Sequence, residues 1–196
     1  VRPDRHTRPE YVAAFRELAA RIAAVLTGLP PHARPVRMYV AGGAALHFYT
    51  GERVSVDVDA VFSRRIALPP DLEVAYRDED GAARLLYFDR QYNDTLGLLH
   101  EDAHAASIPL TLDGIDASLL DVRLLSPVDL AVSKLGRWSA VDRDDVAALA
   151  RRGLLTAGEL ETRAHEALAS YVGDTVRLRG TIASARSLVA KHARSA

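Results

Sequence analysis

The 196-residue sequence predicts an α+β (α/β) fold: a mixed β-sheet flanked by helices, followed by a helical C-terminal bundle. Three observations carry that expectation. Ser55 to Phe62 (SVDVDAVF) alternates with period two, a glycine pair at 42 and 43 stands between a short apolar run and a helical one, and after Ser126-Pro127 the apolar spacing turns helical.

The first helix is expected from about Pro9 to Leu26, because Tyr11, Phe15, Leu18, Ile22 and Val25 recur at three-and-four spacing. Gly28 and the prolines at 30, 31 and 35 end it. VRMYVA (Val36 to Ala41) reads as a buried strand, and Gly42-Gly43 turns it into a second short helix, AALHFYTG. In the strand that follows, Val54, Val56 and Val58 share one face while Ser55, Asp57 and Asp59 share the other. Further strands are expected at Leu72 to Arg77, Ala83 to Asp89, Ser107 to Leu112 and Ser118 to Leu125, joined by turn-rich pieces such as DEDG and LDGID.

Past Leu125 the signals are those of helix starts. SPVDLAVSKLGRW opens with Ser-x-x-Asp and a proline at the first helical position, and Thr156 and Glu159 form a second capping pattern. VDRDDVAALARRG ends on Gly153, and a last helix follows from Asp174. These boundaries divide the chain into a core, 1–125, and a helical region, 126–196, expected to complete the active site.

Composition narrows the chemistry. At 48% hydrophobic and 26% charged, with a net charge of -1, the chain has an ordinary globular balance that announces no partner by charge alone. Arginines nonetheless gather between Arg177 and Arg194, and acids between Asp57 and Asp145. Without cysteine there is no disulfide, thiolate metal site or sulfur redox chemistry, so a metal must sit on oxygen or imidazole. The start of the chain lacks an apolar signal region and no apolar stretch reaches a membrane span, so a cytoplasmic protein without a membrane partner is expected. His100, Glu101, Asp102 and His104 lack the order and the third ligand of a zinc motif and read as a polar loop or short helix.

Asp57 and Asp59 carry the most chemical information. Two carboxylates on one strand face, one residue apart, can hold Mg²⁺ or Mn²⁺ while substrate phosphates supply further oxygens. An isolated Asp-x-Asp is commonly a solvated strand face, but here a glycine pair precedes it at a helix start, where free backbone N–H groups favour a phosphate.

VAGGAALHFYTGERVSVDVDAVF resembles the signature of the DNA polymerase β-like nucleotidyltransferase superfamily, and within it is similar to the AbiEii/MenT-like group of minimal nucleotidyltransferases. The residues that carry the resemblance are Gly42, Gly43, Ala44, Leu46, Arg53, Ser55, Asp57 and Asp59, with Lys134 and the acids Asp142, Asp144 and Asp145 downstream. It spans roughly Val36 to Leu149 and departs from the pattern at Ala44, where relatives often carry a hydroxyl. It implies that Gly42, Gly43, Arg53 and Ser55 bind the nucleotide, that Asp57 and Asp59 ligate the metal, and that Lys134 neutralises triphosphate charge. The remaining catalytic acid is Asp145 or Asp142, with Asp121 the strand-borne alternative.

The function so implied is metal-dependent transfer of NMP from an NTP to an acceptor, expected to be the tRNA 3′ end, by the toxin of a toxin–antitoxin pair with a cognate antitoxin protein. Arg177, Arg179, Arg186, Lys191 and Arg194 are the residues available for an RNA-binding face. The alternatives are an antitoxin or AMPylating enzyme acting on a protein, an antibiotic nucleotidyltransferase, and a nucleotide-binding module without activity. Tyr87, Phe88 and Tyr92 could stack a base, though aromatic residues in strands usually pack.

Overall fold

A computed structural model describes residues 2–3, 6–94 and 97–193. The chain falls into two compact units: the residues up to Asn93 with Ser107–Leu124, and Asp94–Ala106 with the residues from Leu125 onward.

In the first unit, α1 covers Pro9–Leu26 as expected, with Pro9 in its first turn. Tyr11, Phe15, Leu18 and Ile22 are buried, but Leu26 rather than Val25 finishes the stripe, and Val25 is exposed. β1 (Val36–Val40) leads into α2 (Gly42–Thr50), whose first residue is the first glycine, two positions earlier than the apolar pattern suggests. Gly51, at φ +70°, closes α2 in the left-handed conformation, its N–H donating to the His47 carbonyl. Phe15 and Phe48 meet edge to face at 4.8 Å and join α1 to α2.

Sheet formation departs from the simplest reading. The period-two segment is two strands, β2 (Asp57–Val58) and β3 (Ala60–Phe62), which belong to different sheets. The remaining strands are β4 (Glu73–Arg77), β5 (Ala83–Phe88), β6 (Ile108–Pro109) and β7 (Leu120–Leu124). One sheet runs β3-β1-β7-β6 and the other β2-β5-β4, and each mixes parallel and antiparallel pairs. The chain changes partner at Asp59: Tyr87 N–H and Asp89 N–H donate to the carbonyls of Val56 and Val58, whereas the Asp59 carbonyl accepts from Ala41 N–H. The predicted apolar face also stops short, since Val58 is fully buried but Val56 is 58% exposed. Of Ser107 to Leu112 only two residues form strand, with Pro109 on an edge where its missing N–H costs no ladder bond.

The second unit is helical: α3 (Pro127–Ser133), α4 (Ala140–Arg151), α5 (Ala157–Leu168) and α6 (Thr175–His192). Each begins at a side-chain cap, from Ser126, Ser139, Thr156 and Asp174, and those of α4 and α5 are reciprocal capping boxes. Asp129, fully buried in α3, accepts two bonds from Arg163 of α5 at 2.7 and 3.1 Å, which pins the two helices together. No helix among the described residues is long and apolar enough to cross a membrane.

Asp142 offers a measurable handle on this unit. Burial pushes its carboxyl up, but the Arg137 guanidinium and the Ser139 hydroxyl and N–H outweigh that and hold it at about 2, below the ordinary 3.8. A depressed folded-state value stabilises the fold above pH 3.8 and loses that contribution as pH falls towards 2. Asp142→Asn is expected to cost about 2 kcal/mol at neutral pH and to flatten the acid limb of the stability profile, read by urea unfolding across pH 2 to 7.

Candidate functional site

Two consecutive glycines organise the first unit's polar residues. Gly42 sits at φ +58°, and a β-carbon there would lie 1.9 Å from Asp59 Oδ2, so the carboxylate occupies the space a side chain would need. At Gly43 a β-carbon would come within 2.7 Å of Arg53 Nη2 and 2.8 Å of Ser55 Oγ. Ser55 is itself buried and its hydroxyl donates to Asp57 Oδ1. Gly42 therefore abuts Asp59, while Gly43 abuts the serine that holds Asp57. Arg53 takes a left-handed φ of +32°, a strained conformation for a side-chain-bearing residue, as it places its guanidinium at Gly43.

The same turn starts α2, and its N-cap Ala41 offers no side chain to the first-turn N–H groups. By contrast, every helix of the second unit has a capping side chain. An uncapped helix start carries partial positive charge and N–H donors, a natural seat for an anion.

Asp121 is not brought to this turn. It pairs in register with Arg37 on β1, four residues before Ala41, which at strand rise puts it about 13 Å away along β1. Its carboxylate is engaged by Arg123 at 3.1 Å and Arg37 at 3.7 Å, and Arg123 in turn donates to Ser107.

In the second unit, Lys134 is buried rather than solvated, and its Nζ donates to buried Asp145 at 2.6 Å. Of the other acids of α4, Asp144 is exposed, and Asp142 completes the helix's capping box and receives both arms of Arg137 at 2.7 and 2.8 Å. The two acids that the sequence leaves as alternatives thus have different local work. His104 pairs with Asp94 at 2.8 Å and His100 lies 3.7 Å from Glu166, so the two histidines have separate partners. Among the described residues no three histidine, aspartate or glutamate side chains gather as a metal cage.

The cations of α6 do not form one stripe. At 100° per residue Arg177 and Lys191 lie near one line of the helix and Arg179 and Arg186 near the opposite one. Arg177 donates to the Gly136 carbonyl and Arg186 pairs with Glu161 at 2.8 Å, while Arg194 lies outside the described residues.

The model of the family described as "Nucleotidyltransferase of unknown function (DUF6036)" matches residues 16–183. The chain belongs to that nucleotidyltransferase family. An antigenic nucleotidyltransferase-like protein from Paracoccidioides brasiliensis is a similar solved structure, 19% identical over 88% of this chain and 93% of that one, with a TM-score of 0.40. No curated protein matches the chain. The match takes in the glycine turn, the aspartate strand and the Lys134–Asp145 pair; of the candidate site residues named from the sequence, Arg186, Lys191 and Arg194 lie beyond it.

Tyr11 lies before that span and escaped functional notice in the sequence, where its spacing marks it only as core. Its hydroxyl is buried without a hydrogen-bond partner. Burial, then Tyr76 and Asp57, push that phenol far above its ordinary value; Arg53 opposes them and Asp59 adds to them. His47, buried edge-on to Tyr11 at 4.8 Å, accepts from Arg8 N–H through Nε2 and donates from Nδ1 to the Glu52 carbonyl, fastening the residue before α1 and the turn after α2 to the same ring.

Two substitutions test this geometry. Gly42→Ala places a methyl group in the Asp59 carboxylate at an unfavourable φ and is expected to cost about 1–3 kcal/mol, whereas Gly28→Ala, with nothing within 4 Å, stays within about 0.5 kcal/mol of the parent in denaturant titration. Lys134→Ala strands a buried carboxylate and is expected to lose about 3–5 kcal/mol, while Lys134→Met combined with Asp145→Leu recovers most of it by removing both charges.

Proposed function

We propose that this family member transfers a nucleoside monophosphate from an NTP to an acceptor hydroxyl, releasing pyrophosphate, with Mg²⁺ or Mn²⁺ held by Asp57 and Asp59. The observation that carries the reading is the glycine turn at the start of α2, with one residue against Asp59 and the next against the serine that binds Asp57.

The donor set fits the proposed ion. Two carboxylates are hard oxygen ligands, and two ligands from one strand leave coordination positions for phosphate oxygens and water, as Mg²⁺ prefers. It does not match the closed nitrogen and sulfur cage of a structural zinc. When bound, the ion supplies charge neutralisation at the reacting phosphates and the leaving pyrophosphate.

The chain's own residues supply position. The N–H groups at Gly42 and Gly43 receive phosphate oxygens, and the Arg53 guanidinium adds a charged fork beside them. The Ser55 hydroxyl donates to one oxygen of Asp57 and so fixes the carboxylate's rotamer. One of the strand carboxylates accepts the proton of the attacking hydroxyl. The contribution is alignment and preorganised charge more than covalent chemistry, as phosphoryl-type transfers require. Lys134 and Asp145 are proposed, from the AbiEii/MenT-like resemblance, to neutralise triphosphate charge and to serve as the further acid. The same resemblance supports a cytoplasmic toxin whose acceptor is the tRNA 3′ end and whose activity a cognate antitoxin restrains.

Label from each α-³²P NTP is expected to reach total tRNA in the presence of Mg²⁺, and Asp57→Ala with Asp59→Ala to reduce that transfer by more than about 100-fold. A labelled protein band without labelled RNA would move the acceptor to a partner protein. Binding of NTP with no transfer to RNA, protein or small molecules would leave a nucleotide-binding module.

A further inference from the structure

The second sheet has a face that packing does not explain. Along β5, Leu86 and Phe88 point inward, and Phe88 stacks on Phe62 at 5.7 Å. Leu85 and Tyr87 point the other way and stay 45% and 36% exposed. Tyr87 stands in register with Asp57 on one side and Glu73 on the other, and in a paired row all three side chains leave the same face of the sheet. Exposed aromatic residues in sheets ordinarily gain their stability from an aromatic or β-branched cross-strand neighbour. Here both direct neighbours are carboxylates, which give the ring nothing to stack on. On the Tyr87 face Leu85 lies beside small Ala75, while Val56, immediately before Asp57, is exposed on the other side of its strand. Of the large exposed apolar residues described in this unit, Val25 alone lies elsewhere, so the apolar exposure concentrates around one of the two proposed metal-binding carboxylates.

We infer that Tyr87, with Leu85 on the same face, is a stacking platform for a nucleobase of the nucleotide substrate, placed next to Asp57 by the β2–β5 register. The inference rests on the nucleotide-transfer reading and deepens it by assigning the base-contacting face. A base has two apolar π-faces and a polar rim, so it covers a flat apolar patch while its edges stay in water, and stacking on tyrosine needs no particular sequence. Glu73 and Asp57 flank the ring and leave its outward face to the ligand. The same chemistry could be presented by the base of the donor NTP or by the terminal base of an RNA acceptor, and the two are separable by measurement.

The test uses the full chain as Tyr87→Phe and Tyr87→Ala, with Asp57→Asn as the control for transfer. Dissociation constants are measured for each Mg²⁺–NTP by calorimetry and for a short single-stranded RNA by fluorescence anisotropy, together with KM and kcat for both substrates in the labelling reaction. Because the ring is only 36% exposed, the alanine variant's unfolding curve is measured first and every affinity is read at a temperature where it is fully folded. Tyr87→Phe should hold both affinities within about twofold, and Tyr87→Ala should weaken one of them by about 5- to 150-fold, with the rise appearing in KM rather than kcat. A loss confined to NTP assigns the platform to the donor base, and a loss confined to RNA assigns it to the acceptor. Unchanged affinity for both in Tyr87→Ala, while transfer still depends on Asp57, overturns the platform and leaves nucleotide transfer standing. A parent protein that binds neither NTP nor RNA overturns both.

Discussion

The close approach of Asp59 to Gly42 constrains the rest of the first unit. It requires a residue without a β-carbon at a left-handed φ, and it is locked from the backbone side by the bond from Ala41 N–H to the Asp59 carbonyl. That bond is also where the chain leaves one sheet for the other, so the position of the carboxylate and the partner exchange between sheets are one structural event. Asp57, two residues earlier, is consequently a member of the second sheet, held by Ser55 and standing beside Tyr87. A glycine turn, two sheets and two carboxylates are thereby tied together by few atoms, and tight local geometry of that kind is what a phosphate-handling site needs.

The second unit is specified by buried charge as well as by apolar spacing. Asp129, Lys134, Asp142 and Asp145 are all buried, and each meets an oppositely charged partner: Arg163, Asp145, Arg137 and Lys134 respectively. Such pairs add little net stability over an apolar contact, but leaving one member alone is costly, so they penalise any other docking of the same helices. Asp129 and Asp142 serve twice, since both also complete helix starts through Ser126 and Ser139. Lys134 is itself the C-cap residue of α3, its backbone N–H donating to the carbonyls of Ala131 and Val132, while its side chain reaches Asp145 on α4.

Much of this was legible in the residues because it depends on short-range rules. α1 has the bounds its spacing and prolines indicate, and the caps at Ser126 and Thr156 act where Ser-x-x-Asp and Thr-x-x-Glu place them. Gly42 and Gly43 can be picked out because a turn that admits no β-carbon must be written as glycine, and Ser55, Asp57 and Asp59 because they alternate along one strand face. Arginines close in sequence on α6, by contrast, gave a misleading impression of one basic face, since helical geometry divides them between two sides.

Local spacing by itself determined the helices, the glycine turn and the identity of the acidic pair, because helix period, capping and backbone freedom act over a few residues. Only tertiary structure decided that SVDVDAVF is two strands in two sheets, since alternation is the same whichever neighbour a strand pairs with. It likewise decided that Lys134 is buried against Asp145, that Asp121 on β7 is held by Arg123 and by Arg37 across on β1, and that Tyr87 shares a row with Asp57. Each of these depends on the register between segments distant in the chain, and register is set by the packing of whole elements rather than by any residue's immediate neighbours.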